Sequence, residues 1–257
     1  MTSLRSLARA AGCLCLVLLA PGAAMAASFT VSPTRVVLTP KETSALLTLR
    51  NESSETIRFQ LSVFTWDQGP TGEMELKPTD EIVFFPKLVA LVAREERKIR
   101  IGTSAAFGAS EKTYRIFVEE LPPPGKTDQA SSGVNMRTRM GIPIFLQPTA
   151  ATTGGAVTGL TLDHGRAIVR VENRGTLHFV TDSVHVTGTN GKGDNVFDKV
   201  INGWYILAGR AQSYELPLTP EECLATVTLS VEVKVGETVM REQGPRPPDG
   251  CRVSAAR

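Results

Sequence analysis

The chain is short of the residues from which enzymes build sites. Its 257 residues include three histidines, four cysteines and two tryptophans, and aromatics make up only 6%. His164 sits between Asp163 and Gly165 and belongs to a turn. His178 and His185 lie seven residues apart on extended chain, so a continuous strand would send them to opposite faces. A metal site needs convergent ligands with a carboxylate or thiolate close by, which these three do not offer. No GxSxG, HExxH, phosphate-binding loop or dinucleotide fingerprint occurs. Glu119 and Glu120 are adjacent, so a strand points them apart and a glycosidase is left without support. Glu95-Glu96-Arg97-Lys98 reads as a solvated turn. No enzyme class is favoured, and no metal or cofactor is expected.

An excess of charge of one sign is also missing. The formal net charge is +2, and it vanishes once Arg5 and Arg9 are set aside with the leader. A neutral body lacks the clustered positive charge that nucleic-acid backbones require. After residue 26 no apolar run reaches the ~20 residues of a membrane helix, so no membrane insertion is expected. Residues 1–26 have the three parts of a secretory signal: Arg5 and Arg9, the apolar run Ala10 to Ala20, and Ala24-Met25-Ala26 after the breaker Pro21-Gly22. Cleavage is expected after Ala26 or Ala27. Cys13 and Cys15 lie inside the apolar run, not at its end, which argues against a lipid-modified cysteine. Only Cys223 and Cys251 remain. In an oxidising compartment an even pair is more often a disulfide than a metal or redox site, with two free thiols as the alternative. Such a bridge stabilises by about 3 kcal/mol.

What is present is a rhythm of short strands. Hydrophobic residues at 42% and charged ones at 21% are those of a folded chain, and the length allows one large domain or two ordinary ones. Residues 45–50, 59–65, 98–101, 113–119 and 134–145 read as strands, with turns at Asn51-Glu52-Ser53-Ser54 and from Asp67 to Gly72. The stretch from Leu121 to Gly133 is rich in Pro, Lys, Thr, Asp, Gln and Ser, and is expected to be a mobile loop. Thr149 to Ala156 reads as a linker or hinge. Beyond it, strands are expected at 157–162, 167–172, 183–188 and 225–234, then a loop from Gly244 to Gly250. The pattern is all-β: two immunoglobulin-like sandwiches of about 110 residues each. The expected division is signal peptide 1–26, first domain 27–148 and second domain 149–257.

Three features do not fit a plain sandwich. Arg35 lies beside the apolar run Val36-Val37-Leu38, and Arg115 lies inside Tyr114-Arg115-Ile116-Phe117-Val118. An arginine so flanked either snorkels at a sheet edge or faces a cleft for an anion. In Val134-Asn135-Met136-Arg137-Thr138-Arg139-Met140, even positions form an apolar face and odd ones a polar face. A strand with an apolar face following a mobile loop resembles an open edge, which proteins normally blunt because it invites another chain.

Several segments resemble those of the periplasmic pilus (fimbrial) assembly chaperones, the PapD-like proteins. They are Val31 to Leu38 with its arginine, Glu111 to Pro123, Gly141-Ile142-Pro143-Ile144-Phe145-Leu146-Gln147-Pro148, Val171 to Phe179, and Gly203-Trp204-Tyr205-Ile206-Leu207-Ala208-Gly209. The resemblance implies two immunoglobulin-like domains in a boomerang, in the periplasm, without catalysis. It implies that a strand of the chaperone is lent to an incomplete pilus subunit, with Val134, Met136, Thr138 and Met140 as donor positions, and that the subunit passes to an outer-membrane usher. Methionine suits a carrier of several subunits because it fills grooves of differing shape. In the family, two basic cleft residues hold the subunit's C-terminal carboxylate. Arg35 matches the first; Pro143 stands where the second, a lysine, is usual, so Arg115 and Arg139 are the candidates to complete the anchor. Gln147 stands where an interdomain arginine is usual, which implies an incomplete ion network between domains. The free protein is also a candidate for self-association through its open edge. A fibre subunit is the alternative reading, but it would be a single incomplete sandwich of half this length. A sugar- or copper-binding sandwich ranks last.

Overall fold

The computed structural model describes residues 29–122 and 137–251. Val134 and Met136, and residues 123–133 of the mobile loop expected from Leu121 to Gly133, lie outside the described residues; Leu121 itself ends a strand. Ten strands precede residue 149: β1 (Phe29–Ser32), β2 (Val36–Leu38), β3 (Ser44–Asn51), β4 (Ile57–Gln68), β5 (Met74–Pro78), β6 (Ile82–Phe85), β7 (Leu88–Leu91), β8 (Glu96–Thr103), β9 (Lys112–Leu121) and β10 (Arg139–Leu146). Nine strands and one helix follow: β11 (Gly155–Asp163), β12 (Arg166–Asn173), β13 (Phe179–Val180), β14 (Ser183–Thr189), β15 (Asn195–Asn202), β16 (Tyr205–Ile206), β17 (Ala211–Pro217), α1 (Pro220–Ala225), β18 (Thr228–Val235) and β19 (Thr238–Pro245).

In the N-terminal half, the sheet β1-β3-β8-β6 faces the sheet β2-β10-β9-β4-β5, with β7 also on β4. Phe29, Leu47, Leu49, Ile99 and Ile101 from the first meet Phe59, Ile116, Val118, Ile142 and Ile144 from the second in one buried cluster. The alternation of the strands sets this: on β9 and β10 the even positions point into that core. The C-terminal half has its own cluster, built on Val169, Val171, Val184, Val186, Leu229, Val231 and Val233. Its sheets run β11-β12-β17, β13-β16 and β15-β14-β18-β19. The many antiparallel sheets make a mostly-β fold of sandwich type.

Several local outcomes differ from the pattern reading. Glu96, Arg97 and Lys98, read as part of a solvated turn, instead open β8 and pair with Arg50, Leu49 and Thr48 of β3, their exposed side chains being those of a solvated strand face. Residues 220–225 form a helix where a strand was expected to begin at 225. The reason lies in Thr219-Pro220-Glu221-Glu222: the Thr219 hydroxyl accepts from the Glu222 N–H, and the Glu222 carboxylate accepts from the Thr219 N–H at 2.8 Å. This is a capping box with proline in the first turn, a strong enough local signal to override strand propensity. The helix carries buried Cys223, which is bonded to Cys251. Gly244 and Pro245, read as a loop, instead end β19 opposite Leu229 and Thr228. Proline is tolerated there because β19 closes its sheet at an edge.

The segment read as a linker is held in place. Thr152 and Gly154 accept backbone bonds from Thr176 and Arg174 at 2.9 Å. The two halves also meet through a third cluster, Trp66, Phe145 and Leu207, with Tyr205 and Leu76 packed against it. This explains the burial along β4. Up to Val63 the odd positions are buried in the N-terminal core, whereas Trp66 and Gln68 on the opposite face are covered by the C-terminal half.

Candidate functional site

The site begins with backbone groups. β10 pairs with β9 along its whole length, from Arg139↔Glu119 to Leu146↔Lys112. On its other side it pairs with β2 only over Ile144, Phe145 and Leu146. Residues 139–143 of β10 therefore have one neighbour among the described residues and one open side. The Glu120 N–H donates to the Thr138 carbonyl at 3.0 Å. Backbone direction alternates along an antiparallel strand, so 138, 140 and 142 face β9 and 139, 141 and 143 face the open side. The Gln147 N–H, which donates to Leu38 on that side at 2.9 Å, fits the same alternation. Proline at 143 loses nothing to β9, because its missing N–H belongs to the side away from it.

The side chains divide by the same parity. Ile142, Ile144 and Leu146 are buried in the N-terminal core, and Met140, half-buried, packs against it. Thr138 precedes them in the same row. Arg139, Gly141, Pro143 and Phe145 lie on the opposite face. The Phe117 ring lies across Gly141, where a Cβ would come within 2.8 Å of Phe117 Cε1. The Arg139 guanidinium lies 4.0 Å from the centre of the same ring and pairs with Glu119 at 3.4 Å.

The open side ends at two cations. Val36 pairs with Ile144 in parallel, and Pro143 pairs with Arg115, so Arg35, Pro143 and Arg115 stand in one row across three chain segments. With strands about 4.8 Å apart, Arg35 and Arg115 are roughly 10 Å apart at the backbone, within reach of one carboxylate. Arg35, one residue before β2, is exposed and has no partner among the described residues. Arg115 is 8% exposed; among the described residues it forms no ion pair, and its Nε is enclosed without a hydrogen bond. It lies 4.1 Å from the Trp66 ring centre and 5.9 Å from that of Trp204. Burial pulls the Arg115 guanidinium below its ordinary pKa, and the nearby Tyr205 hydroxyl partly offsets this. Guanidinium stays charged even so. Arg139 is not part of this row: it lies four residues back along β10, about 13 Å away.

Around this edge the halves are tied together. The Gln68 side chain donates to the Tyr205 carbonyl at 2.7 Å and accepts from the Leu207 N–H at 2.8 Å. Arg210 makes two bonds to Asp67, at 2.7 and 2.6 Å. His178 contacts the buried Glu111 at 2.7 Å and stacks on Phe145 of β10, ring centres 3.7 Å apart. Ion pairs thus cross the junction without any contribution from position 147. Asp67 and Gln68, expected in a turn, instead end β4, and the turn starts two residues later, at Gly69. All three histidines have a carboxylate partner, and no group of three or more metal-ligating side chains occurs among the described residues. A cavity of about 650 Å³ lies elsewhere, over Leu46, Val83, Phe85 and Leu88 with Arg97, Lys98 and Arg100 at its rim. It has no converging catalytic groups and does not touch the β10 edge.

Residues 28–152 match the family model described as pili and flagellar-assembly chaperone, PapD N-terminal domain. No curated protein matches the chain. Among solved structures, a chain of the CsuC–CsuE chaperone–tip adhesion subunit pre-assembly complex, from archaic chaperone-usher Csu pili of Acinetobacter baumannii, superposes with a TM-score of 0.61. Its sequence identity is 16%, and the match covers 86% of this chain and 98% of that one. A chain of the Salmonella enterica SafA pilin–SafB chaperone complex gives 0.54 at 17% identity, covering 84% and 95%. The E. coli chaperone DraB gives 0.51 at 19%, covering 85% and 96%. At these identities the likeness is one of fold.

Proposed function

We propose that this chain, whose residues 28–152 carry the N-terminal domain of the PapD family of pili and flagellar-assembly chaperones, is a periplasmic chaperone. It captures pilus subunits by lending them β10 and passes them to an outer-membrane usher. The observation that carries this reading is the open side of residues 139–143, ending beside Arg35 and Arg115. A partner strand bonded to that side lies in line with β2. If its terminal carboxylate sits between Arg35 and Arg115, it must run parallel to β10, entering beside Arg139. Val134, Met136, Thr138 and Met140 then continue the row of Ile142 and Ile144 into the subunit's unfilled groove. The work is non-catalytic and needs no cofactor.

Energetics support a division of labour. The open side offers four backbone groups, the N–H and C=O of Arg139 and of Gly141, because the parallel ladder takes up the Pro143 carbonyl with Val36. At about 0.5–1.5 kcal/mol net each, these bonds fix register but give only a few kcal/mol. Most affinity must come from apolar side chains leaving water, at about 25 cal/mol per Å². We take residues 27–148 and 149–257 as two immunoglobulin-like domains in a boomerang, preceded by a signal peptide removed on export. A fibre subunit would expose its own core row, whereas the N-terminal core is buried by its own strands.

The reading is tested by Arg139→Pro. The Arg139 N–H points to the open side, so its removal leaves the bonds to β9 intact while deleting one bond to the captured strand. Co-purification of an affinity-tagged subunit should fall about 2- to 13-fold, the range of one such bond, with Arg139→Ala close to the native chain. Equal capture by the proline variant contradicts strand addition at this edge.

A further inference from the structure

We infer that Trp204 reads the last side chain of the captured strand, favouring an apolar or aromatic residue and disfavouring a basic one; this rests on the capture reading above. Trp204 comes from the C-terminal half, yet its ring faces Arg115 of β9 at 5.9 Å. It is 47% exposed, a large apolar surface left in water beside a cation that no carboxylate of the described chain engages. A carboxylate held by Arg115 places the adjoining side chain within a few ångströms of that indole.

The indole is held ready. The Trp204 carbonyl accepts from the Thr181 N–H at 3.0 Å. Gly203 leaves no room for movement, since a Cβ there would lie 1.8 Å from the Thr181 oxygen. Gln68 grips the backbone at 205 and 207 on the other side. The Tyr205 ring meets Trp204 edge-on at 5.6 Å. Such fixed aromatic surface is what a selective contact needs, because little freedom is lost on binding. A basic terminal residue would add a like charge beside Arg115.

The test measures binding of synthetic strand peptides to the whole chain. The peptides alternate valine and threonine and end in Phe, Gly or Lys as the free acid, with an amidated Phe version. The Phe acid should bind about 3- to 10-fold tighter than the Gly acid, the range of one aromatic pair, and the Lys acid weaker than both. In Trp204→Ala the Phe-to-Gly ratio should fall to about one; if that variant does not fold, Trp204→Gln serves, and Trp204→Phe should keep most of the preference. An unchanged ratio in the Ala or Gln variant overturns the inference and leaves the anchor intact. Amidation that leaves native binding unchanged, or no binding of any acid, instead counts against the capture reading itself.

Discussion

Arg115 is the residue whose position is hardest to explain by stability. A buried charge without a partner is costly, and stacking on an indole returns only about 0.5–2 kcal/mol. Arg115→Met keeps the volume and removes the charge. The expected result is a denaturant midpoint equal to or above that of the native chain, with subunit capture reduced at least tenfold. Loss of 2 kcal/mol or more with capture unchanged would make Arg115 a structural residue. Arg35→Ala should also spare the fold, since Arg35 is exposed and unpaired among the described residues, and should likewise weaken capture. Both arginines are legible in the sequence, because cations flanked by strand formers stand out. Their shared row is not, because it depends on the parallel pairing of β2 with β10 and the register of β9. Trp204 stands in the sequence only as part of residues 203–209, and nothing in that segment shows that its ring meets Arg115.

At the scale of elements, two strand ends are built alike. Asn51 ends β3 and donates to the carbonyls of Glu55, Leu91 and Val92, while its Oδ1 accepts from the Ser53 N–H. Asn173 ends β12 and donates to Leu177 and Ile206, while its Oδ1 accepts from the Gly175 N–H. Both are fully buried. Asn173→Ala strands two carbonyls and an amide away from water, and should cost about 2–4 kcal/mol. Urea unfolding should show this as a lower midpoint at unchanged slope; a shift worth under about 0.5 kcal/mol would contradict it. The turns after both asparagines are legible from composition. The long-range bonds that make these residues indispensable are not, because they join positions 33 to 41 residues apart. β10 itself was legible from alternation as an odd, edge-like strand. Which of its residues stay open could only come from where β2 stops.

In the whole molecule, the open edge is coupled to the junction between the halves. Phe145 on β10 stacks on His178, Gln68 at the end of β4 holds Tyr205 and Leu207, and Trp204 follows from that grip. The sequence suggests a small-residue joint at 149–156, of which Gly155 and Ala156 instead open β11. The side-chain ties were not visible there, since Gln68 and Asp67 resemble any polar turn. The central claim is that residues 139–143 carry unsatisfied backbone groups on one side until a subunit supplies its strand. Residue-resolved amide hydrogen exchange of the free and subunit-bound chain tests it most directly. The amides of Arg139 and Gly141 should exchange fast in the free chain and become protected on capture, while those of Met140 and Ile142 are protected in both. Protection of Arg139 and Gly141 in the free monomer, or no change in them on capture, would contradict it.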